Sequence, residues 1–438
     1  MTVALALVAM LVAVALVWRG HDVRVVLFVA ALAIGAVAGQ LGVVFRKTAE
    51  TLADAKFLLP ICSAMGFAYV VRQTGCVEAL VRLLLRPIQR VPRLTVPGGA
   101  AVGLVVNAAI PSQTSTLAAV GPLLVALLAQ LRTSATLAGT ALVLGASSGG
   151  ALLNPGLAEV AAVAAMAGIP AASVVVPLAP AVLASFAGGT LALLVGFRFG
   201  RRPDDDSVLT ALADDAPVGA GGGEDAPSAW KAILPPLPIV WLLSSHPALP
   251  TGALVVRVMP AGLEVFTAMI AGSALTMAFA SRDRAASARA MFVGMGYAFT
   301  HVITIIAVSA GTAKALEVAG VLRAFVGLTA GTPLATLAVA FVLAFALAFV
   351  SGSGTASSVA LVGAFGAHVA ELGVTPMALG GVVLLGAEAG RTTSPVAAVL
   401  LFGSTLVSVP PRTLATRLLL PCFLAALAGA VVCVLRFR

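Results

Sequence analysis

The chain has 438 residues, 60% of them hydrophobic and only 10% charged, with a net charge of +9 and a mean hydropathy of +1.10. Soluble domains carry about 25% charged residues, so the composition excludes an ordinary cytosolic globule and a disordered chain. Hydrophobic runs of 16 to 27 residues can cross a hydrocarbon core about 30 Å thick at about 1.5 Å per helical residue. The chain therefore reads as an all-α polytopic membrane protein.

The first run, Thr2–Trp18, has no basic segment before it, and Arg19 and Arg24 follow it. It reads as a retained helix rather than a cleaved signal. Further runs lie near 25–45, 57–72, 135–166, 172–197, 232–246, 261–280, 290–309, 376–407 and 413–435. Two more, near 94–131 and 333–370, are interrupted by small polar residues. Between 77 and 93, Arg82, Arg86, Arg90 and Arg93 share one helical face opposite Leu80, Leu84 and Ile88. That spacing predicts an amphipathic helix on the membrane surface.

Residues 198–231 hold seven of the 17 acidic residues among Gly and Pro. They read as a polar linker between two transmembrane halves, 1–197 and 232–438. Met65-Gly66-Phe67-Ala68-Tyr69 recurs as Met295-Gly296-Tyr297-Ala298-Phe299, the 112–116 segment as 351–355, and 145–155 as 386–395. Three matches in one order at offsets of 230 to 241 predict a duplication. Each half has five crossings, one re-entrant hairpin and one broken helix. Five is odd, so the second half is inverted, a pattern of secondary transporters. A cytoplasmic linker places 17 of the 25 Lys and Arg outside the hydrophobic runs on the inner side, as positive-inside topology requires. Both termini are then external, and the membrane is the inner membrane. The dispersed arginines fit this topology rather than nucleic-acid binding.

Two hairpin tips are candidate binding elements. One carries Ser112, Gln113, Thr114 and Ser115, the other Ser353, Gly354 and Thr355. Interrupted helices free backbone groups, and a helix N-terminus offers N–H donors to an anion. The broken helices add Asn154 in the first half and Arg391, Thr392, Thr393 and Ser394 in the second. In each, the sequence predicts an unwound glycine and hydroxyl segment and a helix restarting after the proline, which suits its first turn. Arg391 is the most specific residue, since an arginine within an apolar run is expensive and usually functional. It either grips a carboxylate or pairs with Glu388, three residues earlier. Glu388 and Glu159 are the ion-coupling candidates, with H+ or Na+ as the coupling ion. Asn107, Asn154 and Gln113 bond a carboxylate or cap broken helices, and Glu159 also suits a helix start. His301, Tyr69 and Tyr297 fit packing roles.

Cys62, Cys76, Cys422 and Cys433 show no C-x-x-C spacing, so no metal site is indicated. There is no H-E-x-x-H, no nucleophile elbow between strand and helix, and no P-loop, so enzyme chemistry and ATP hydrolysis by that route are not expected. No cofactor is expected; the expected partners are a small carboxylate and the lipid bilayer.

Gly352–Thr355 with the G-R-T-x-S-P-V run at Gly390–Val396 resembles the anaerobic C4-dicarboxylate carrier family of the DcuC type. Met65–Tyr69 and the basic helix ending Arg86-Pro87 resemble its first half. The resemblance implies membership of the ion-transporter superfamily, an elevator-type architecture, a homodimer, and substrates such as succinate, fumarate, malate and aspartate. Ser112-Gln113-Thr114 resembles that superfamily's Ser-Asn-Thr motif, with Gln for Asn. Glu388 stands where the family tends to have a neutral Asn. The superfamily also implies cation/proton antiport and short-chain fatty-acid or amino-acid transport as alternatives.

Overall fold

The computed structural model describes residues 2–19, 21–91, 94–131, 133–199, 229–244, 263–321, 324, 332–366 and 368–437. The linker predicted at 198–231 lies almost wholly outside the described residues. The described elements are helical. In the first half they are α1 (Thr2–Trp18), α2 (Val23–Val37), α3 (Leu41–Leu52), α4 (Ala55–Gln73), α5 (Cys76–Gln89), α6 (Thr95–Ala109), α7 (Gln113–Gln130), α8 (Ala135–Ser147), α9 (Ala158–Ala167) and α10 (Ala171–Phe199). The second half contributes α11 (Leu237–Ser244), α12 (Glu264–Ala280), α13 (Arg284–Ala298), α14 (Thr304–Val318), α15 (Pro333–Ser351), α16 (Gly354–Gly366), α17 (Pro376–Thr393), α18 (Ala398–Val407) and α19 (Pro411–Phe437).

Seven helical stretches among the described residues are long and apolar enough to cross a bilayer, and five shorter apolar helices accompany them. Leu11, Phe279 and Leu435 are 68%, 67% and 69% exposed. Apolar side chains that open to the outside fit a lipid-facing surface, where exposure to hydrocarbon carries no hydrophobic cost.

Both interrupted runs fold as hairpins. α6 ends at Ala109, and Ser112 caps α7 by accepting from Ser115 N. α15 ends at Gly352, whose φ of +68° is left-handed and whose Cα side lies against the Val396–Ala397 backbone. A side chain there would be strained and crowded. Ser353 then caps α16 by accepting from Ala356 N at 3.2 Å.

The two long predicted runs are broken, but later than expected. α8 stays helical to Ser147, a 3-10 turn covers Gly150–Leu153, and α9 starts at Ala158. α17 stays helical to Thr393, and α18 starts at Ala398. Each helix thus restarts after its proline, as expected, but three residues beyond Pro155 or Pro395, so the proline precedes the first turn instead of belonging to it. Pro fixes φ but does not force a helix to begin; Leu157 and Ala397, both extended, are the residues that precede the first turn.

Close contacts recur between the halves. A Cβ on Gly145 would lie 2.6 Å from Ala100 O, and one on Gly386 would lie 2.7 Å from Phe341 O. Gly150 abuts Leu104 O, and Gly390 abuts Phe345 O. These are the same contacts at offsets of 240 or 241. Where α10 crosses α19, Gly189 meets Ala425 and Gly429 meets Ser185, a reciprocal exchange of equivalent positions. Gly66 meets Met295, and Gly294 meets Met65 O, where α4 crosses α13.

Other expectations change. The run near 25–45 is two helices, broken at Gly39 with φ +68°. The run near 290–309 is part of a longer stretch, 284–318, with a π-turn at Phe299–Ile303. The amphipathic α5 forms, but protein covers its apolar face: Leu80 and Leu85 are buried, with α6, α7 and the 3-10 turn at Ala229–Ile233 packed on it. Arg93 lies outside the described residues.

Candidate functional site

Four helix ends meet where Glu159, Thr355, Glu388, Arg391 and Thr392 stand. Glu159 sits in the first turn of α9, where a carboxylate complements the positive helix end. Arg391 sits in the last turn of α17, where a cation complements the negative end. Thr355 belongs to the first turn of α16, and Ser147 closes α8.

Glu159, Glu388 and Arg391 are 2%, 6% and 9% exposed. An Arg391 Nη2 donates to Glu388 Oε2, three residues back on the same helix face. Its Nη1 stands 4.0 Å from Glu159 Oε1, which also accepts from Thr355 Oγ1 at 2.6 Å. One guanidinium therefore serves two carboxylates, and with both ionised the cluster carries one net negative charge. Glu159 Oε2 and Arg391 Nε are buried with no protein partner. Gly354 makes room for the guanidinium: a Cβ there would lie 3.1 Å from Arg391 Cζ.

A second link ties the halves together behind the charges. Ser147 Oγ donates to Thr392 Oγ1 at 2.7 Å, and Thr392 in turn donates to Glu388 O at 2.7 Å. At the offset of 241 Ser147 occupies the position equivalent to Glu388, so the first half carries a hydroxyl where the second carries an acid. Sequence reading passed over Ser147, which stood in an Ala, Gly and Ser run with nothing to single it out.

The remaining predicted residues divide. Thr393 donates to Ala389 O and Gly390 O within its own helix. Ser394 accepts from Val396 N and closes the break. Asn154 spends both polar atoms on structure: Nδ2 donates to Ala108 O at 2.9 Å and Oδ1 accepts from Gly156 N at 2.8 Å. Asn107 does likewise, accepting from Ala151 N at 2.7 Å. These asparagines brace the first hairpin against its broken helix. At the first tip Ser112 and Ser115 bond each other, Gln113 is half-buried and Thr114 is exposed. The charges thus gather at the second tip alone. His301 stacks on Tyr297, 4.1 Å between ring centres, in a packing role.

Near the charges lies a cavity of about 510 Å³ between α9 and α16 on one side and α3, α4 and α14 on the other. Ala162 and Met166 continue the face of α9 that carries Glu159, and Val359 and Val362 continue the face of α16 that carries Thr355. The Glu159–Thr355 bond lies on the same two helix faces, about one turn before the nearest lining residues, Ala162 and Val359. Among the described residues no group of three His, Cys, Asp or Glu is placed to hold a metal ion.

Residues 1–187 match a family described as the Na+/H+ antiporter family. An uncharacterized transporter of Haemophilus influenzae is 36% identical over 80 residues, 18% of this chain and 55% of that protein. The chain thus spans about half the length of the curated relative it matches. Among solved structures, MtrF of Neisseria gonorrhoeae, described with a class of antimetabolite efflux pumps, aligns over 94% of each chain with a TM-score of 0.61 at 13% identity. The YdaH transporter of Alcanivorax borkumensis aligns over 99% of this chain and 98% of its own with a TM-score of 0.48 at 18% identity. The likeness to MtrF is one of fold: the chain has the fold of a polytopic membrane transporter. These proteins are transporters, not enzymes.

Proposed function

We propose that the chain is a secondary transporter in which a proton bound among Glu159, Glu388 and Arg391 is exchanged against a cargo. The carrying observation is the sharing of one buried guanidinium by two buried carboxylates. An unbalanced charge inside a bilayer is costly, and one bound proton makes the cluster neutral. The likeness of residues 1–187 to the Na+/H+ antiporter family supports proton coupling. Sodium fits less well, because it takes several oxygen ligands and an oxygen of each carboxylate is already engaged by Arg391 or Thr355.

The recurring glycine contacts at offsets of 240 and 241 and the reciprocal crossing of α10 with α19 support an inverted repeat. In this reading the hairpins and broken helices move against α2–α4 and α12–α14 as an elevator. The linker at 198–231 is cytoplasmic and both termini are external, because this places 17 of the 25 Lys and Arg outside the apolar runs on the inner side. A C4-dicarboxylate is a weaker reading of the cargo: a dianion would enter a cluster that is itself negative, and no match above is named for such transport.

Proteoliposomes holding a pH-sensitive dye test the proposal. Sodium chloride reads cation exchange, and the tetramethylammonium salts of hexanoate and succinate read movement of a mono- and a dicarboxylate. Whichever cargo drives proton flux, Glu388→Gln should abolish the proton response while the protein still inserts. Undiminished proton flux in that variant would overturn the assignment.

A further inference from the structure

The cavity beside the charge cluster has its own chemistry. Its rim carries Lys47 and Lys56, both exposed and both without a carboxylate partner among the described residues. Deeper in, Lys314 donates to Glu317 at 2.7 Å. Asp54 also lines the cavity, but its carboxylate accepts from Lys56 N and caps α4. Three ammonium groups thus face two carboxylates, each of which already has a partner. The rest of the wall is largely apolar, with Phe57, Met166, Ile306 and Val362 among its side chains. A concave, mostly apolar chamber with a few convergent charged groups is the usual form of a small-molecule site.

We propose that this chamber binds the transported cargo, an organic anion with one charged head and an apolar body. The head pairs with the lysines, and the body lies along the apolar faces of α9 and α16. Excess positive charge at the mouth raises the local concentration of anions. The apolar wall offers nothing to a second charged head, which sets this cargo apart from a dicarboxylate. The groove runs along the faces of α9 and α16 that carry Glu159 and Thr355, so cargo and proton are coupled through the same two helices. The proposal rests on the transporter reading above and names its substrate class.

Gly363 lines the chamber, and a Cβ there would meet only Ala313 Cβ at 4.0 Å, so Gly363→Cys fits. The four native cysteines are buried. The rate at which a maleimide labels Gly363→Cys in the purified full chain, with no gradient imposed, reports occupancy. Hexanoate and cyclohexanecarboxylate should slow labelling. Hexanamide, of the same shape without the charge, should not, and succinate should act only at far higher concentration. Adding Lys314→Gln should raise the hexanoate concentration needed about tenfold. Equal protection by hexanamide would mean a merely apolar pocket, better protection by succinate would mean a dicarboxylate site, and no protection by any would mean no site. Each of these overturns the proposal. Protection retained alongside failed proton coupling would instead sink the triad assignment and leave the chamber standing.

Discussion

Thr355 Oγ1 donates to Glu159 Oε1 at 2.6 Å, joining two residues 196 positions apart in the chain. The bond spans the first turns of α9 and α16, so both helix N-termini face one carboxylate. That convergence explains how a carboxylate is held in an apolar bundle, since each helix end supplies a fraction of a positive charge.

Thr355→Val keeps the shape and removes the donor. It leaves Glu159 with Arg391 Nη1, 4.0 Å away, as its nearest charged partner. The loss of a hydrogen bond to a buried charged group should cost about 1.5–3 kcal/mol. Thr355→Ser should restore most of it. Thermal unfolding of the purified protein measures the stability, and proton flux in proteoliposomes measures the coupling. A Val variant as stable and as active as the parent would show that the bond carries neither role.

The recurring glycines make a sharper steric prediction. Gly145→Ala puts a methyl 2.6 Å from Ala100 O, and Gly386→Ala puts one 2.7 Å from Phe341 O. Both obstacles are backbone, which cannot rotate away, so overpacking should cost about 1–3 kcal/mol or more. A Cβ added at Gly296 would have nothing within 4 Å. There Gly→Ala should stabilise by about 0.5–1 kcal/mol, the helix-propensity difference. Expression level and unfolding temperature in detergent separate the two classes; similar behaviour of all three would refute the equivalence of the contacts.

A peripheral pair gives a pH prediction. Asp22 caps α2 and accepts from Arg24, which holds its carboxyl at about 2, well below the usual value. A carboxyl lowered on folding stabilises the protein above its unfolded value, about 3.9. That contribution fades as the pH falls through about 2. The pair is partly exposed and screened by solvent, so its worth is small, below about 1 kcal/mol. Asp22→Ala should therefore lower stability slightly at pH 7 and have no effect at pH values below about 2. Unfolding temperatures of the two proteins at both pH values are the check.

Much of this was legible in the chain. Apolar runs, the Pro111-Ser112 and Gly352 breaks and the three internal matches all depend on neighbours in sequence, and the structure places hairpins and broken helices there. What escaped depends on packing between halves. Glu159 read as an ion-coupling candidate and a helix start, but only the approach of α16 makes it a partner of Thr355. Ser147 looked like filler until α17 brought Thr392 to it. Asn154 read as a carboxylate ligand or a brace of its broken helix, and its partner for the second role, Ala108 O on the first hairpin, depends on packing. Composition signals where a helix breaks; it carries no record of which other helix end fills the gap.

The role of Arg391 follows from charge arithmetic. The native cluster holds two carboxylates and one guanidinium, all buried. Arg391→Gln strands both acids, and removing one partner of a buried pair costs about 3–5 kcal/mol. Glu388→Gln leaves Arg391 with Glu159 at 4.0 Å, a balanced set, so stability should hold or rise. The double variant leaves one unpaired carboxylate, the same net charge as the parent. Unfolding temperatures should therefore rank Glu388→Gln at or above the parent, the double variant near it, and Arg391→Gln well below. Proton flux should rank differently: the double variant has lost the shared guanidinium and one of its two acids, so it should fold and fail to transport. A substrate grip by Arg391 alone predicts another pattern, in which Arg391→Gln folds as well as the parent and only transport is lost. Equal unfolding temperatures for Arg391→Gln and the parent would decide for that grip and against the charge-sharing triad.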